Sequence, residues 1–333
     1  MARFDVTDAE WVLIEPLLPV AATGPLPRRV RDHFNGVMWR FRTGSRWRDL
    51  PERYGPWSTV YSRFNGWARA GVFQALMSAL IAEAAGRGLV GLELVSVDST
   101  VVRAHQDCAG LAIAGETLDA LEQALTEEKG GSAGGPAAGV EGRAPQAESG
   151  AGADRAATRR RRRARAKAAG LGRSRGGLSS KVHAAVDSAG LPLAFVLTPG
   201  QAEDCPQFLA VLERIRVPGP VGRPRTRPDA VAADKAYSSK ANRAYLRKRG
   251  IKAVIPEKRD QAANRKKKGS RGGRPVSHDT ELYKDRNTVE RCFQKLKSRR
   301  GVATRYDKSP ESFEAGYHLR GSIIWLKHLT STT

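Results

Sequence analysis

YKDRNTVERCFQKLK, residues Tyr283–Lys297, is the stretch on which the reading of this chain turns. A helix advances 100° per residue, so Tyr283, Arg286, Glu290 and Lys297 fall within roughly 60° of arc on one face. Val289, Cys292, Phe293 and Leu296 form the neighbouring apolar stripe, which a core can bury. The stretch therefore predicts one helix presenting a carboxylate, two cations and a phenol along a ridge beside a buried face. A carboxylate among cations suits a divalent metal, a phosphate, or both. It also suits an amphipathic surface helix with ordinary salt bridges, and taken alone the stretch favours that plainer reading.

The rest of the chain shifts the balance. The 333 residues carry a formal net charge of +23. A small-molecule enzyme has no need of such a charge, whereas a polyphosphate partner rewards it. Much of it sits in two runs, RRRRRARAK (Arg159–Lys167) and RKKKGSRGGR (Arg265–Arg274). Cys108, Cys205 and Cys292 lie far apart without a CxxC pair, which argues against a disulfide framework and a cysteine zinc site. No stretch approaches ~20 consecutive apolar residues and no leader-like apolar region opens the chain, so a cytoplasmic, nucleoid-associated protein without a membrane span is expected.

Upstream, residues 1–88 read as a small all-helical module. Thr7-Asp8-Ala9-Glu10 has the capping-box pattern ahead of Trp11, Ile14 and Leu17. Phe34, Val37, Met38 and Phe41 recur at helical spacing. Gly44–Trp57 is turn-rich, basic and aromatic, and contains Arg46 and Arg48. Ser58 is positioned to cap a third helix with Val60, Phe64 and Trp67 inward, and a fourth follows over Val72–Ala85. Helix, basic turn, then a helix bearing Arg63, Asn65 and Arg69 has a helix-turn-helix-like order, so DNA contact through Arg46, Arg48, Arg63 and Arg69 is expected. The plain alternative is a helical bundle with solvated arginines.

The pattern changes at Leu89. Leu92–Asp98 (LELVSVD) reads as a buried strand ending in a carboxylate, continued by Ser99–Arg103. Residues 108–172 have little to bury, and predict a largely disordered insertion with at most one marginal helix around Leu118–Leu125. Its arginine run either trails along DNA or is simply solvated. Order resumes with a hairpin: Lys181–Val186, a turn at Asp187–Gly190, and Leu191–Leu197. Lys181 on that hairpin is a further candidate DNA contact. Glu203–Ile215 predicts a helix, Asp229–Asp234 a strand again ending in an acid, Ser238–Arg249 a basic helix and Ile251–Ile255 a strand. The run Arg265–Arg274 predicts a loop, and Ser312–Leu329 a last helix. The order β–β–β–α–β–α–β–α over residues 89–329 predicts an α/β domain of ribonuclease-H-like type. Sites in open α/β sheets gather beyond strand ends. If the first and fourth strands are neighbours, Asp98 and Asp234 meet there and a helix laid across that edge adds Glu290. Three carboxylates suit two magnesium ions ~3.5–4 Å apart. His105 and His183 are expected to be core or hydrogen-bonding residues and not ligands.

Four blocks carry a resemblance. LVSVDSTVVRAHQ (Leu94–Gln106), GRSRGGLSSKVHAAVDSAGLPL, AVAADKAY (Ala230–Tyr237) and YKDRNTVERCFQKLK resemble those of bacterial insertion-sequence transposases of the DDE class, closest to the insertion-sequence five family. The last matches that family's Y-x2-R-x3-E-x6-K signature at every fixed position. The N-terminal FNGVMWRFRTGSRWRDLPERYGPWSTVYSRFNGWARAGVF and the tail RRGVATRYDKSPESF are also similar to the family. Residues 108–170 depart from its usual short connection. The resemblance implies catalytic, metal-holding roles for Asp98, Asp234 and Glu290, with magnesium as cofactor and manganese as a substitute. It implies hydrolysis at the ends of a mobile element, followed by joining of the 3′-hydroxyls to target DNA. Tyr283, Arg286 and Lys297 would position DNA, and a dimer would assemble on it. The competing expectations are a regulator that binds DNA without chemistry and a nuclease without strand transfer.

Overall fold

The computed structural model describes residues 4–19, 29–109, 158–161, 164–219 and 221–331. Helix α1 (Asp8–Ile14) opens with the expected capping box. Thr7 Oγ1 accepts from Glu10 N at 3.2 Å, and Glu10 Oε2 accepts from Thr7 N at 2.8 Å. Helices α2 (Val30–Thr43), α3 (Trp57–Arg69) and α4 (Val72–Gly86) follow. Ser58 does not cap α3, because the helix starts one residue earlier, after Pro56, whose fixed φ already suits a helix entry. Phe34, Val37, Phe41, Val60, Phe64 and Trp67 all turn inward as their spacing predicts.

A mixed sheet follows. Its strands are β1 (Leu94–Ala104), β2 (Gly172–Ser174), β3 (Gly177–Val186), β4 (Pro192–Pro199), β5 (Ala230–Ala233), β6 (Lys252–Val254) and β7 (Thr304–Arg305). β1 is central. It pairs antiparallel with β3, parallel with β5, and at its far end parallel with β7, where Ala104 faces Arg305. β4 extends the sheet beyond β3 and β6 beyond β5. The β3–β4 hairpin turns at Asp187, whose Oδ1 accepts from Leu191 N at 2.8 Å, with Gly190 at φ +79° supplying the left-handed step.

The remaining helices are α5 (Gln207–Glu213), α6 (Lys240–Lys248), α7 (Arg259–Lys267), α8 (Thr280–Lys284), α9 (Asn287–Lys297), α10 (Arg300–Ala303) and α11 (Pro310–Ser331). Three expectations are corrected. The helix expected over Glu203–Ile215 is confined to α5, because Pro206 stands at its N-cap and cannot extend it backwards. The basic run is not a plain loop. Its first residues belong to α7, where Arg265 is held by Glu257 at 2.6 Å, and a 3₁₀ turn over Gly269–Gly272 follows. Tyr283–Lys297 is two helices and not one. Arg286 N, Thr288 N and Val289 N bond the carbonyls of Tyr283, Asp285 and Arg286, so a 3₁₀ step with weak helix formers Asp285 and Asn287 joins α8 to α9.

The expectation of disorder over 108–172 falls mostly outside the described residues. At the segment's ends it does not hold. Residues 164–168 are helical, and Ala169 and Leu171 pack with Cys108 in a small apolar cluster. Arg305 explains the order there. Its guanidinium is fully buried and needs acceptors, which Ala169 O, Ser180 Oγ and Asp307 O supply at 2.7, 2.7 and 3.1 Å.

A single apolar cluster runs from Val6 to Leu329. α11 joins its halves, packing on α4 and on β4, with Trp325 Nε1 donating to Pro192 O at 2.7 Å. Glycines permit the close approach: a Cβ on Gly316 would meet Phe41 at 2.3 Å. Arg40 of α2 and Asp307, just after β7, form a buried ion pair at 3.1 Å across the same junction.

His183 is buried in the sheet, with Nε2 2.9 Å from Thr198 Oγ1, as expected of a core histidine. Burial pushes its imidazole down to about 4, the Lys181 charge adding and Asp204 opposing. Between the unperturbed 6.5 and about 4 the unfolded chain therefore binds the proton more readily. Folding should weaken as pH falls through that window, by on the order of 3 kcal/mol at full effect. Melting temperatures at pH 7 and pH 4.5 should diverge in the wild type, and the divergence should shrink in His183→Gln. An equal pH dependence in both would place the acid sensitivity elsewhere.

Candidate active site

The parallel register of β1 and β5 sets Val97 beside Ala233. Asp234 follows the end of β5, whereas Asp98 is not at a strand end as expected: β1 runs on to Ala104 and pairs Asp98 with Ala184 of β3, so the two acids lie on adjacent strands one residue beyond the Val97–Ala233 pair. Each carboxylate accepts from the following backbone N–H, Asp98 Oδ1 from Ser99 at 2.7 Å and Asp234 Oδ1 from Lys235. α9 lies across this part of the sheet because Val289, Cys292 and Leu296 are buried beneath it, and Thr288 Oγ1 donates to Ser96 Oγ at 3.2 Å.

From α9, Glu290 is presented half-exposed, and Arg286 reaches between the acids. Its Nη1 donates to Asp98 Oδ2 at 2.9 Å and its Nη2 to Glu290 Oε1. The guanidinium also lies over the Tyr283 ring at 6.0 Å, and that ring packs on Leu94, Ala230, Ala232 and Val254. Burial pushes the Tyr283 phenol up. Burial also raises the Asp98 carboxyl above the usual carboxylate range; the charge of Asp234 adds, while the Ser99 N–H and Arg286 oppose. A carboxylate desolvated beside a second one is relieved by a cation, and here a guanidinium provides it. The donor set is hard oxygen, the kind that magnesium or manganese accepts. Asp98 and Asp234, on adjacent strands and near enough for the charge of one to act on the other, are the acids of that set that could share such an ion. Among the described residues no three acid, histidine or cysteine side chains gather closely enough to hold one ion, and Glu290 is engaged by Arg286.

The other expected residues are placed as follows. Lys297 Nζ donates to Val101 O at 2.9 Å, bracing α9 on β1, and burial pulls its amine down. Lys181 turns to Ala202 O at 2.7 Å and to Asp204 Oδ1 at 3.0 Å, with its side chain only 13% exposed. That engagement sets it in a cluster with Asp204 on the sheet. Arg63 is half-buried beside the Trp67 ring, whereas Arg46, Arg48 and Arg69 are exposed. The site residues missed by the sequence are Asp204 and Tyr237. Ser99 Oγ donates to Asp204 Oδ1 at 2.7 Å, so Asp204 steadies the strand that carries Asp98. Tyr237 is buried beside Asp98 and Asp204, its phenol pushed far up by that burial. Asp204 follows β4, and the β1–β3 and β3–β4 pairings together bring it near Ser99.

Comparison with known proteins agrees with this architecture. A family model described as "Transposase DDE domain" matches residues 91–320, and one described as "Putative transposase of IS4/5 family" matches residues 6–77. The "Putative transposase for insertion sequence element IS6501" of Brucella ovis is 34% identical over 150 residues, covering 45% of this chain and 100% of that protein. The "Putative transposase for insertion sequence element IS402" of Burkholderia cepacia is 33% identical over 130 residues, covering 39% of this chain and 54% of that protein. No solved structure is similar to the chain. This chain belongs to the DDE transposases, and within them to the IS4/5 family. Among the described residues no helix is long and apolar enough to cross a membrane.

Proposed function

We propose that the chain binds the terminal inverted repeats of an insertion sequence, hydrolyses phosphodiester bonds at its ends and joins the 3′-hydroxyls to target DNA. The observation that carries this reading is the pair Asp98 and Asp234 on adjacent strands, with Glu290 set beside them on α9 through Arg286. Asp98, Asp234 and Glu290 are the residues that would hold two divalent ions, magnesium or manganese in its place. When bound, such ions supply Lewis-acid activation of water and stabilise the leaving oxygen. The chain's own part is to fix geometry. Ser99 N–H and the Ser99–Asp204 contact hold Asp98 in place, Thr288 locks α9 to β1, and Lys297 braces its far end. Arg286 is the group able to pass from carboxylates to a DNA phosphate, because its fork suits either anion.

The strand order around β1 supports a ribonuclease-H-like catalytic domain over 89–329, with residues 1–88 as the DNA-binding module. The net charge of +23 supports double-stranded DNA as partner and a nucleoid setting. Synapsis of two ends favours a homodimer on DNA. The test is a magnesium-dependent assay on labelled DNA carrying the element's ends, with wild type beside Asp98→Asn. Cutting and joining by the wild type alone is the expected result. Binding without cutting by the wild type would overturn the enzymatic reading in favour of a regulator, and cutting without joining would point to a nuclease.

A further inference from the structure

Where the helical module meets the segment after β7, the surface is hollowed into a groove of about 1080 Å³. One wall carries Arg46, Arg48 and Arg69 with Trp57 and Tyr61; the other is Tyr306–Ser312, with Lys308 at its rim. Among the described residues, Trp57 and Tyr61 are 38% and 41% exposed. The Arg48 guanidinium stands 5.6 Å over the Trp57 ring, and Tyr61 contacts Trp47 at 5.4 Å, so both rings are propped and not loose. Among the described residues none of Arg46, Arg48 and Arg69 is paired with a carboxylate. The groove does contain Asp307, which is neutralised by Arg40, and the exposed Glu311.

Cations alone would suit the outside of a duplex. Solvent-facing rings recessed among cations suit something different: bases whose faces are open for stacking. We propose that this groove binds unpaired nucleotides of the DNA end, stacking their bases on Trp57 and Tyr61 while Arg46, Arg48, Arg69 and Lys308 take the backbone. The inference rests on the transposase reading for the identity of the DNA. Its position follows from β1, whose far end pairs with β7 immediately before Tyr306.

The test uses the full chain and reads binding without cleavage, so it stands even if the chain cuts nothing. A labelled single strand of the end sequence and its duplex are titrated against wild type, Trp57→Ala/Tyr61→Ala and Trp57→Phe/Tyr61→Phe. The expected result is a loss of single-strand affinity of about five-fold or more for each ring removed. Duplex affinity should hardly change, and the Phe pair should retain the wild-type value. Photocrosslinking of 5-iodouridine end DNA to wild-type protein keeps the question open to an answer should the Ala pair fold poorly. Crosslinks on Trp57 or Tyr61 would support the groove. Equal loss on both DNA forms, no loss, or crosslinks confined to other residues would overturn it and leave a duplex-binding face only.

Discussion

Glu290→Gln is expected to lose DNA cleavage by on the order of a hundred-fold or more, with binding to the ends retained. Glutamine keeps the shape and can still accept from Arg286, but it lacks the charge a divalent ion requires. The side chain is 49% exposed, so the substitution opens no cavity and leaves no buried group unpaired. Thermal unfolding of the variant should match the wild type without added metal. The rise in melting temperature on adding manganese should be smaller than in the wild type, because a ligand of the folded state has been removed. Undiminished cleavage would take Glu290 out of the site and leave Asp98 and Asp234 to act with another residue.

The second large effect concerns stability. Asp307→Ala should destabilise the fold by about 3–5 kcal/mol, the usual result of stripping one partner from a buried ion pair. Arg40 and Asp307 have side chains only 5% exposed. Without the carboxylate, the Arg40 guanidinium keeps only the rings of Phe41, Trp47 and Tyr306, at 5.0, 5.5 and 5.8 Å. The paired change Arg40→Met with Asp307→Leu should recover most of the loss, since no charge is then left in the interior. Urea unfolding of the three proteins decides the matter. A loss below about 1 kcal/mol in Asp307→Ala would mean that water reaches the guanidinium.

Much of this was legible in the sequence because local rules and tertiary demand agree. Thr7 and Glu10 cap a helix wherever they stand three apart before an apolar stripe. Val95 and Val97 mark a buried strand, and Asp98 ends its fully buried portion. Asp98 and Asp234 could be read as a pair because each closes an apolar run, although β1 continues past Asp98 to Ala104. Other features were invisible for physical reasons. The break between α8 and α9 leaves the apolar spacing almost unchanged, so periodicity does not register a 3₁₀ step. Lys181 looks like a solvent-facing cation, and its burial depends on Ala202 and Asp204, supplied by a segment beyond β4. Asp204 precedes a short helix and resembles an ordinary capping acid. It meets Ser99 through the pairing of β1 with β3 and of β3 with β4, which ends just before it.

The place of α11 between the helical module and the sheet has a consequence for how the protein is made. The apolar side of α4 finds its cover on α11, which is synthesised after every other described element. At 5–20 residues per second, roughly 12–50 s separate the completion of α4 from that of α11. β1 waits in the same way for β3, β5 and β7. A nascent chain therefore carries uncovered helix and strand surface until α11 has been made, and cannot bring Glu290 beside Asp98 before α9 has been made. Nascent chains interrupted before α11 should be prone to aggregation.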